Sequence, residues 1–379
     1  MKKNILFLIE SLSGGGAEKV LTVLLKHFYY EKYEVTVCPI VDTGVYCDEV
    51  KKYATHYIPL VSYNGNVISR LWNRIKYKLV YSLLPLKWVY GWFLPKGNDV
   101  EIAFCEGYVT KLLAHANSSA TKIAWVHTDL TNNPWPLELG IYKNVEEETR
   151  AYASYDKIVC VSNTVECAFG EKYGLNDRTC TIYNPIDVDG IRREAKSSAC
   201  IKDAKHFNII SIGRLVPQKG YDRLLRVVRN LHELYPSVRM TILGDGGERG
   251  KLEQYISEYK MSEYVFLPGF IKNPYTELAT SDLFVCSSKA EGYSLVVAEA
   301  MVLGIPVVST NCSGPAELLG QGEYGLLVEN SEEALYIGIK ELIEDNAKLK
   351  TLQKKSLLRG DMFSVSETIR QIDILLGGG

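Results

Sequence analysis

No C-x-x-C pair occurs anywhere in this chain, although nine cysteines are present. Their number is odd and they fall mostly in apolar runs, as at Cys38, Cys105, Cys160 and Cys286. That pattern reads as reduced, buried thiols and argues against a disulfide framework or a zinc site, so a reducing cytoplasm is expected. Neither charge dominates: 43 Lys and Arg stand against 45 Asp and Glu, a formal net charge of −2. A dedicated nucleic-acid binder is therefore not expected. Apolar runs long enough to cross a bilayer are also missing. Residues 80–94 come nearest, but Pro85 and Lys87 interrupt them and a span needs about 20 residues. The opening MKKNILFLIE has the look of a signal peptide. Its apolar part covers only residues 5–9 before Glu10, so it reads as a first strand.

The sharpest absence is local. Residues 50–98 hold eight basic residues (Lys51, Lys52, Arg70, Arg74, Lys76, Lys78, Lys87, Lys96) and no acidic one. Trp72, Trp88 and Trp92 lie in the same stretch, with Tyr77, Tyr81, Tyr90 and Phe93. Cations mixed with amphipathic rings suit a segment lying in an anionic membrane interface, which is the expectation for 51–96. The plainer alternative is an aromatic helix packed on the core with a solvated basic edge.

What is present is organised around residues 287–310, SSKAEGYSLVVAEAMVLGIPVVST. An apolar strand ends at Cys286 and a polar loop carrying Gly292 follows. Residues 295–303 form a helix with Ser294 as its N-cap, Gly304 stops it, and residues 306–309 are a buried strand. The loop of this β-α-β unit lies at a strand's carboxyl end, where open parallel sheets bind ligands. Glu291 stands in the loop and Glu299 in the helix. Between them the amides of Ser294, Leu295 and Val296 form a first helical turn, unpaired within the helix and at its positive end. A phosphate is attracted there. Carboxylates beside it would take hydroxyl donors, which describes a nucleotide sugar. Two solvated glutamates on an ordinary surface helix is the alternative.

Elsewhere the chain alternates strands and helices. SLSGGGAE, residues 11–18, is a glycine-rich loop that opens a helix. It is not a P-loop, since no Gly-Lys-Ser/Thr follows, and Lys19 breaks the dinucleotide fingerprint. His127 follows a strand in AWVHTDL, at a carboxyl end from which its ring could reach a cleft or serve structure alone. Residues 187–205 are charged and weakly periodic and are taken as a linker. Asp187-x-Asp189 lacks a third ligand, so no metal site is expected. The second half restarts at residues 207–213 and continues into RLVPQKG, where Arg214 and Lys219 face another helix start and suit a diphosphate. The expectation is an α/β protein of two doubly wound domains with a cleft between them: 1–186, the linker, 206–363, and a final helix at 364–379 with the option of crossing back to the first domain.

The segments GGAEKV, AWVHTDL, VCVSN, IYNPID, SIGRLVPQKGYDRLL, ILGDGGERGKLE, FLPGF and EGYSLVVAEAMVLGIPVVSTNCSGPAELL occur in that order. Together they resemble the retaining glycosyltransferases of family 4, which have the GT-B fold of two Rossmann-like domains. The likeness spans nearly the whole chain and is most specific in the second half. It implies an N-terminal acceptor-binding domain and a C-terminal domain for a nucleotide-diphosphate sugar, with a UDP-sugar as the expected donor. By the same likeness, Glu291 contacts sugar hydroxyls and Glu299 the ribose. Arg214 and Lys219 meet the diphosphate, Gly15 and Gly16 lie near the phosphates, Phe270 lies by the base and His127 by the reacting sugar. Such enzymes need neither metal nor cofactor. Tyr293-Ser294 departs from the aromatic and glycine of many members. The expected product is a surface glycan, built on a polyprenyl-linked acceptor at the inner membrane face. A soluble transferase for a small metabolite or storage glycan, or a non-catalytic nucleotide-sugar binder, are the alternatives.

Overall fold

The computed structural model describes residues 2–63, 66–197, 203 and 205–378. The chain divides into two compact units, Met1–Pro185 with Ser366–Gly379, and Ile186–Val365.

The first unit is built on strands β1 (Lys3–Ile9), β2 (Tyr33–Pro39), β3 (His56–Tyr57), β4 (Val100–Ala103), β5 (Thr121–Val126), β6 (Lys157–Cys160) and β7 (Thr179–Thr181). They pair in parallel in the order β3-β2-β1-β4-β5-β6-β7. β1 is flanked on both edges and covered on both faces, which is why Ile5, Leu6, Phe7 and Leu8 are all buried and the strand reads as a continuous apolar run. From β1 the chain steps to β2 on one side and later to β4 on the other. The strand order reverses at the β1/β4 boundary.

The second unit repeats the scheme with β8 (Phe207–Ile212), β9 (Val238–Leu243), β10 (Val265–Gly269), β11 (Leu283–Cys286), β12 (Val307–Thr310) and β13 (Leu326–Val328). Their order is β10-β9-β8-β11-β12-β13, so this sheet reverses at β8/β11. Its two faces carry separate apolar cores. One packs Leu224, Val228 and Leu231 of the helix Tyr221–Leu234 against β8 and β9. The other packs Val297, Ala300 and Met301 of the helix Leu295–Val302 against β11 and β12. The fold is the expected pair of doubly wound α/β units.

One boundary differs from the sequence expectation. Residues 188–195 are a helix, not linker: Asp187 caps it by accepting from the Gly190 amide at 2.9 Å, and Ile191 enters the second core. Val188, Ile191 and Ala195 share one face, too short an apolar stripe to stand out among its charges. Residues 198–202 and 204 of the expected linker lie outside the described residues. The last helix, Val365–Leu375, packs on the first unit: Asp373 takes Lys32 at 2.6 Å and the Tyr33 hydroxyl at 2.7 Å.

The tryptophan-rich stretch folds as a helix Val67–Lys78, a π-helical turn Leu79–Leu83 and a helix Leu86–Phe93. Val80, Val89, Tyr90 and Leu94 tie it to the core. On the first helix Ile68, Leu71, Trp72 and Ile75, spaced as one helical face, are exposed, and Trp88 and Trp92 stack on each other at 5.4 Å, also exposed. Arg74 and Lys78, both exposed, border that apolar face. Other cations of the stretch serve the fold instead. Lys51 pairs with Asp42 at 3.4 Å, Lys52 lies over the Tyr53 ring, Lys76 over the Phe93 ring and Lys96 over Tyr90.

Candidate functional site

The reversal point of the second sheet is where the charged residues gather. β8 ends into Gly213 and the loop to the helix Tyr221–Leu234, while β11 ends into residues 287–294. The two loops touch at Gly220. It has φ +65°, and a Cβ there would lie 2.3 Å from the Ser287 carbonyl, so glycine is required on both counts. This close approach lets the Lys219 ammonium reach the Glu291 carboxylate, which also accepts from Ser288 Oγ at 2.7 Å. Burial opposes the Lys219 charge, but Glu291 outweighs it and holds the lysine pKa above its ordinary value.

The loop that carries Glu291 is fixed from several sides. Arg223, itself buried, donates to the carbonyls of Ser287 (2.6 Å) and Ser288 (3.0 Å) and to Asn330 Oδ1 (2.7 Å). Thr310 Oγ1 donates to the Ser288 carbonyl at 2.6 Å, and the Gly314 amide donates to the Glu291 carbonyl at 3.2 Å. The sequence reading missed Arg223, Ser288 and Thr310. A signal existed for the first: Arg223 shares the buried face of its helix with Val227, where a lone arginine needs partners.

Glu291 is 8% exposed and Glu299 2%, so neither is a solvated surface glutamate. Glu299 faces the Tyr275 hydroxyl at 3.4 Å, another partner the sequence did not reveal. Ser294 precedes the helix Leu295–Val302 but makes no side-chain cap bond; its hydroxyl is buried with no hydrogen-bond partner among the described residues. The expected capping role is thus corrected: its side chain leaves the Leu295 and Val296 end of the helix uncapped, an anion-attracting terminus. Arg214 is exposed at the same edge, and its guanidinium makes no hydrogen bond or ion pair with the described residues. Phe270, exposed, follows β10.

His127, Gly15 and Gly16 belong to the first unit. His127 follows β5, and its Nε2 lies 3.1 Å from the Phe104 carbonyl. Desolvation lowers its pKa to about 3, so the ring is neutral and Nε2 donates to that carbonyl. The amides of His127 and Thr128 both donate, at 2.6 Å, to buried Glu106, whose pKa desolvation raises to about 7. Glu106 was not singled out from sequence. Gly15 precedes the helix Gly16–His27, and the Glu18 carboxylate closes over it: a Cβ there would lie 2.4 Å from Glu18 Oε2. A cavity of about 470 Å³ beside Lys111, Lys143 and Arg150 contains none of these residues.

Among the described residues, no three His, Cys, Asp or Glu side chains are grouped to hold a metal ion. Two doubly wound units, one with cations, buried carboxylates and an uncapped helix start at its reversal point, define a GT-B type transferase scaffold. Residues 193–358 match the model of glycosyl transferases group 1, and residues 14–189 that of glycosyltransferase family 4. An uncharacterized glycosyltransferase of Methanocaldococcus jannaschii is 30% identical over 74% of this chain and 78% of its own. A Campylobacter jejuni protein, N-acetylgalactosamine-N,N'-diacetylbacillosaminyl-diphospho-undecaprenol 4-alpha-N-acetylgalactosaminyltransferase, is 28% identical over 97% of this chain and 98% of its own. Anabaena HepE, crystallised with UDP and glucose, has the same fold, with a TM-score of 0.77 at 22% identity over 98% of this chain and 99% of its own. The chain belongs to the group 1 glycosyltransferases.

Proposed function

We propose that this glycosyltransferase moves a sugar, with retention, from a UDP-sugar to a lipid-linked glycan acceptor at an anionic membrane surface. The Lys219–Glu291 pair beside the uncapped helix start carries the reading. A diphosphate, with two charges and many acceptor oxygens, competes with Glu291 for Lys219. Glu291 is then released to accept the sugar's hydroxyls, Glu299 takes the ribose and Phe270 lies against the base.

In the transfer, the acceptor oxygen bonds to the anomeric carbon while the bond from that carbon to the phosphate oxygen breaks on the same face. The acceptor proton passes to the departing phosphate. Arg214, Lys219, the Ser294 hydroxyl and the amides of Leu295 and Val296 stabilise its growing charge, so no metal is required. His127 is neutral, and its one ring proton is donated to the Phe104 carbonyl, so it takes no part in the proton transfer.

Two things support a lipid-linked acceptor. The Campylobacter relative's name specifies a diphospho-undecaprenol substrate. The exposed face of Ile68, Leu71, Trp72 and Ile75, bordered by Arg74 and Lys78, fits an interfacial helix. No helix among the described residues is long and apolar enough to cross a membrane. The protein would then act as a peripheral enzyme on the inner face. A panel of nucleotide sugars, assayed for turnover with and without anionic liposomes bearing lipid-linked glycan, tests the proposal. Turnover only with small soluble acceptors, and no flotation with the liposomes, would favour the soluble alternative.

A further inference from the structure

The first sheet also has a reversal point, at β1/β4, and the transferase reading leaves it without an assigned ligand. Glu10, next after β1, stands at that point. The helix Tyr108–Ala114 starts there after β4. Tyr81, on the π-helical turn Leu79–Leu83, donates its hydroxyl to Glu10 Oε1. Its ring lies between Tyr77 and Tyr108, with both ring centroids 4.6 Å away and the planes tilted by 39° and 33°. Tyr108 donates to the Val80 carbonyl at 2.5 Å and fixes the turn to the sheet edge. Isolated π-turns of this kind recur at functional sites.

This ladder has two open ends. Tyr77, the outer ring, is 40% exposed. Glu10 is only partly exposed, yet its Oε2 makes no hydrogen bond with the described residues. A carboxylate largely withdrawn from water and with an oxygen to spare takes hydroxyl donors. An aromatic face beside it takes the apolar side of a ring. A sugar presents both: an apolar face of C–H groups and a rim of hydroxyls. A purely aromatic ligand would leave Glu10 Oε2 unused, and an anion would be repelled by it.

We infer that Tyr77 and Glu10, linked through Tyr81, form a subsite for a sugar ring of the acceptor, with the ring over the outer face of Tyr77 and its hydroxyls toward Glu10. The inference rests on the transferase reading and names where the acceptor glycan is held. Residues 79–83 run directly on from the helix Val67–Lys78 with its exposed apolar face. A glycan on a lipid anchor would therefore meet this subsite next to the helix proposed to lie on the membrane.

The test is saturation-transfer NMR on the full chain with millimolar methyl α-glycosides of N-acetylgalactosamine, N-acetylglucosamine and galactose. UDP affinity is measured in parallel. The parent should bind at least one glycoside. Glu10→Gln and Tyr77→Ala should each weaken it about tenfold, with the UDP Kd unchanged within about twofold because Arg214, Lys219, Glu291 and Glu299 lie in the other unit. Tyr77 is exposed, so its truncation leaves the fold intact and keeps the test decisive if Glu10→Gln unfolds. Glycoside binding that is absent in the parent, or equal in parent and variants, overturns the subsite. A parent that does not bind UDP would instead overturn the UDP-donor assignment, while glycoside binding that both variants weaken would still uphold the subsite.

Discussion

Lys219 and Glu291, 72 residues apart in the chain, form an ion pair across the reversal point of the second sheet. The side chains are only 19% and 10% exposed, so each is the main compensation for the other's desolvation. Removing one therefore has two consequences, one for stability and one for turnover.

Lys219→Ala should lower kcat/KM at least ~100-fold, about 3 kcal/mol of transition-state stabilisation. It should also cost roughly 3 kcal/mol of stability, because Glu291 is left buried and unpaired. Arg214→Ala should lower kcat/KM similarly with no change in Tm, since that side chain is exposed. Steady-state kinetics with thermal melts check both. Near-parental turnover in both variants would remove the diphosphate assignment.

The two glutamates should separate in kinetics. Glu299→Ala should mainly raise the Kd for UDP, since the ribose it is proposed to hold does not react. Glu291→Ala should mainly lower kcat, because hydroxyl contacts orient the reacting carbon. Equal loss of UDP affinity in both would contradict this division.

Glu106 gives a pH prediction. Its folded pKa of about 7 lies above the ordinary carboxyl value of about 4.3. Between those values the unfolded chain has lost this proton and the folded chain keeps it. The unfolded state therefore binds fewer protons, and stability falls as pH rises through the window, in total by roughly 3 kcal/mol. Urea titrations from about pH 5 to pH 8 should show a steeper decline for the parent than for Glu106→Gln. Identical slopes would rule out the raised pKa. His127, neutral throughout this range, should contribute no inflection to the pH–rate profile.

Membrane binding should depend on the exposed cations that border the apolar face rather than on the whole basic stretch. Lys51, Lys52, Lys76 and Lys96 are engaged within the fold. Replacing Arg74 and Lys78 by glutamine should weaken binding to anionic vesicles roughly 30-fold, at about 1 kcal/mol per charge. Lys76→Gln should change it little. A double variant that floats with the vesicles as the parent does would return the helix to an ordinary surface role.

Much of this was legible in the sequence. The unit around Glu291 and Glu299 shows its strand, loop, helix and glycine stop in the residues themselves, and the structure places the helix at Leu295–Val302. Such elements are dictated locally by period and by Gly and Pro. The Val188–Ala195 helix was hidden because eight charged, weakly apolar residues take their stability from packing rather than propensity. Arg223, Ser288, Thr310 and Tyr275 escaped for another reason. Arg223, Thr310 and Tyr275 each act on a group more than twenty residues away, which leaves no spacing to read. Ser288 is the exception in distance, standing three residues from Glu291, but its hydroxyl signals nothing until the loop is folded.

The central claim is retaining transfer from a UDP-sugar at the site of Lys219 and Glu291. It is tested most directly by incubating the parent with α-linked UDP-sugars, a lipid-linked glycan acceptor and excess EDTA. The anomeric proton of the product is then read by NMR. The account predicts an α-linked product, formed at the same rate with and without chelator and lost in Lys219→Ala. A β-linked product, or turnover that EDTA abolishes and magnesium or manganese restores, would contradict it.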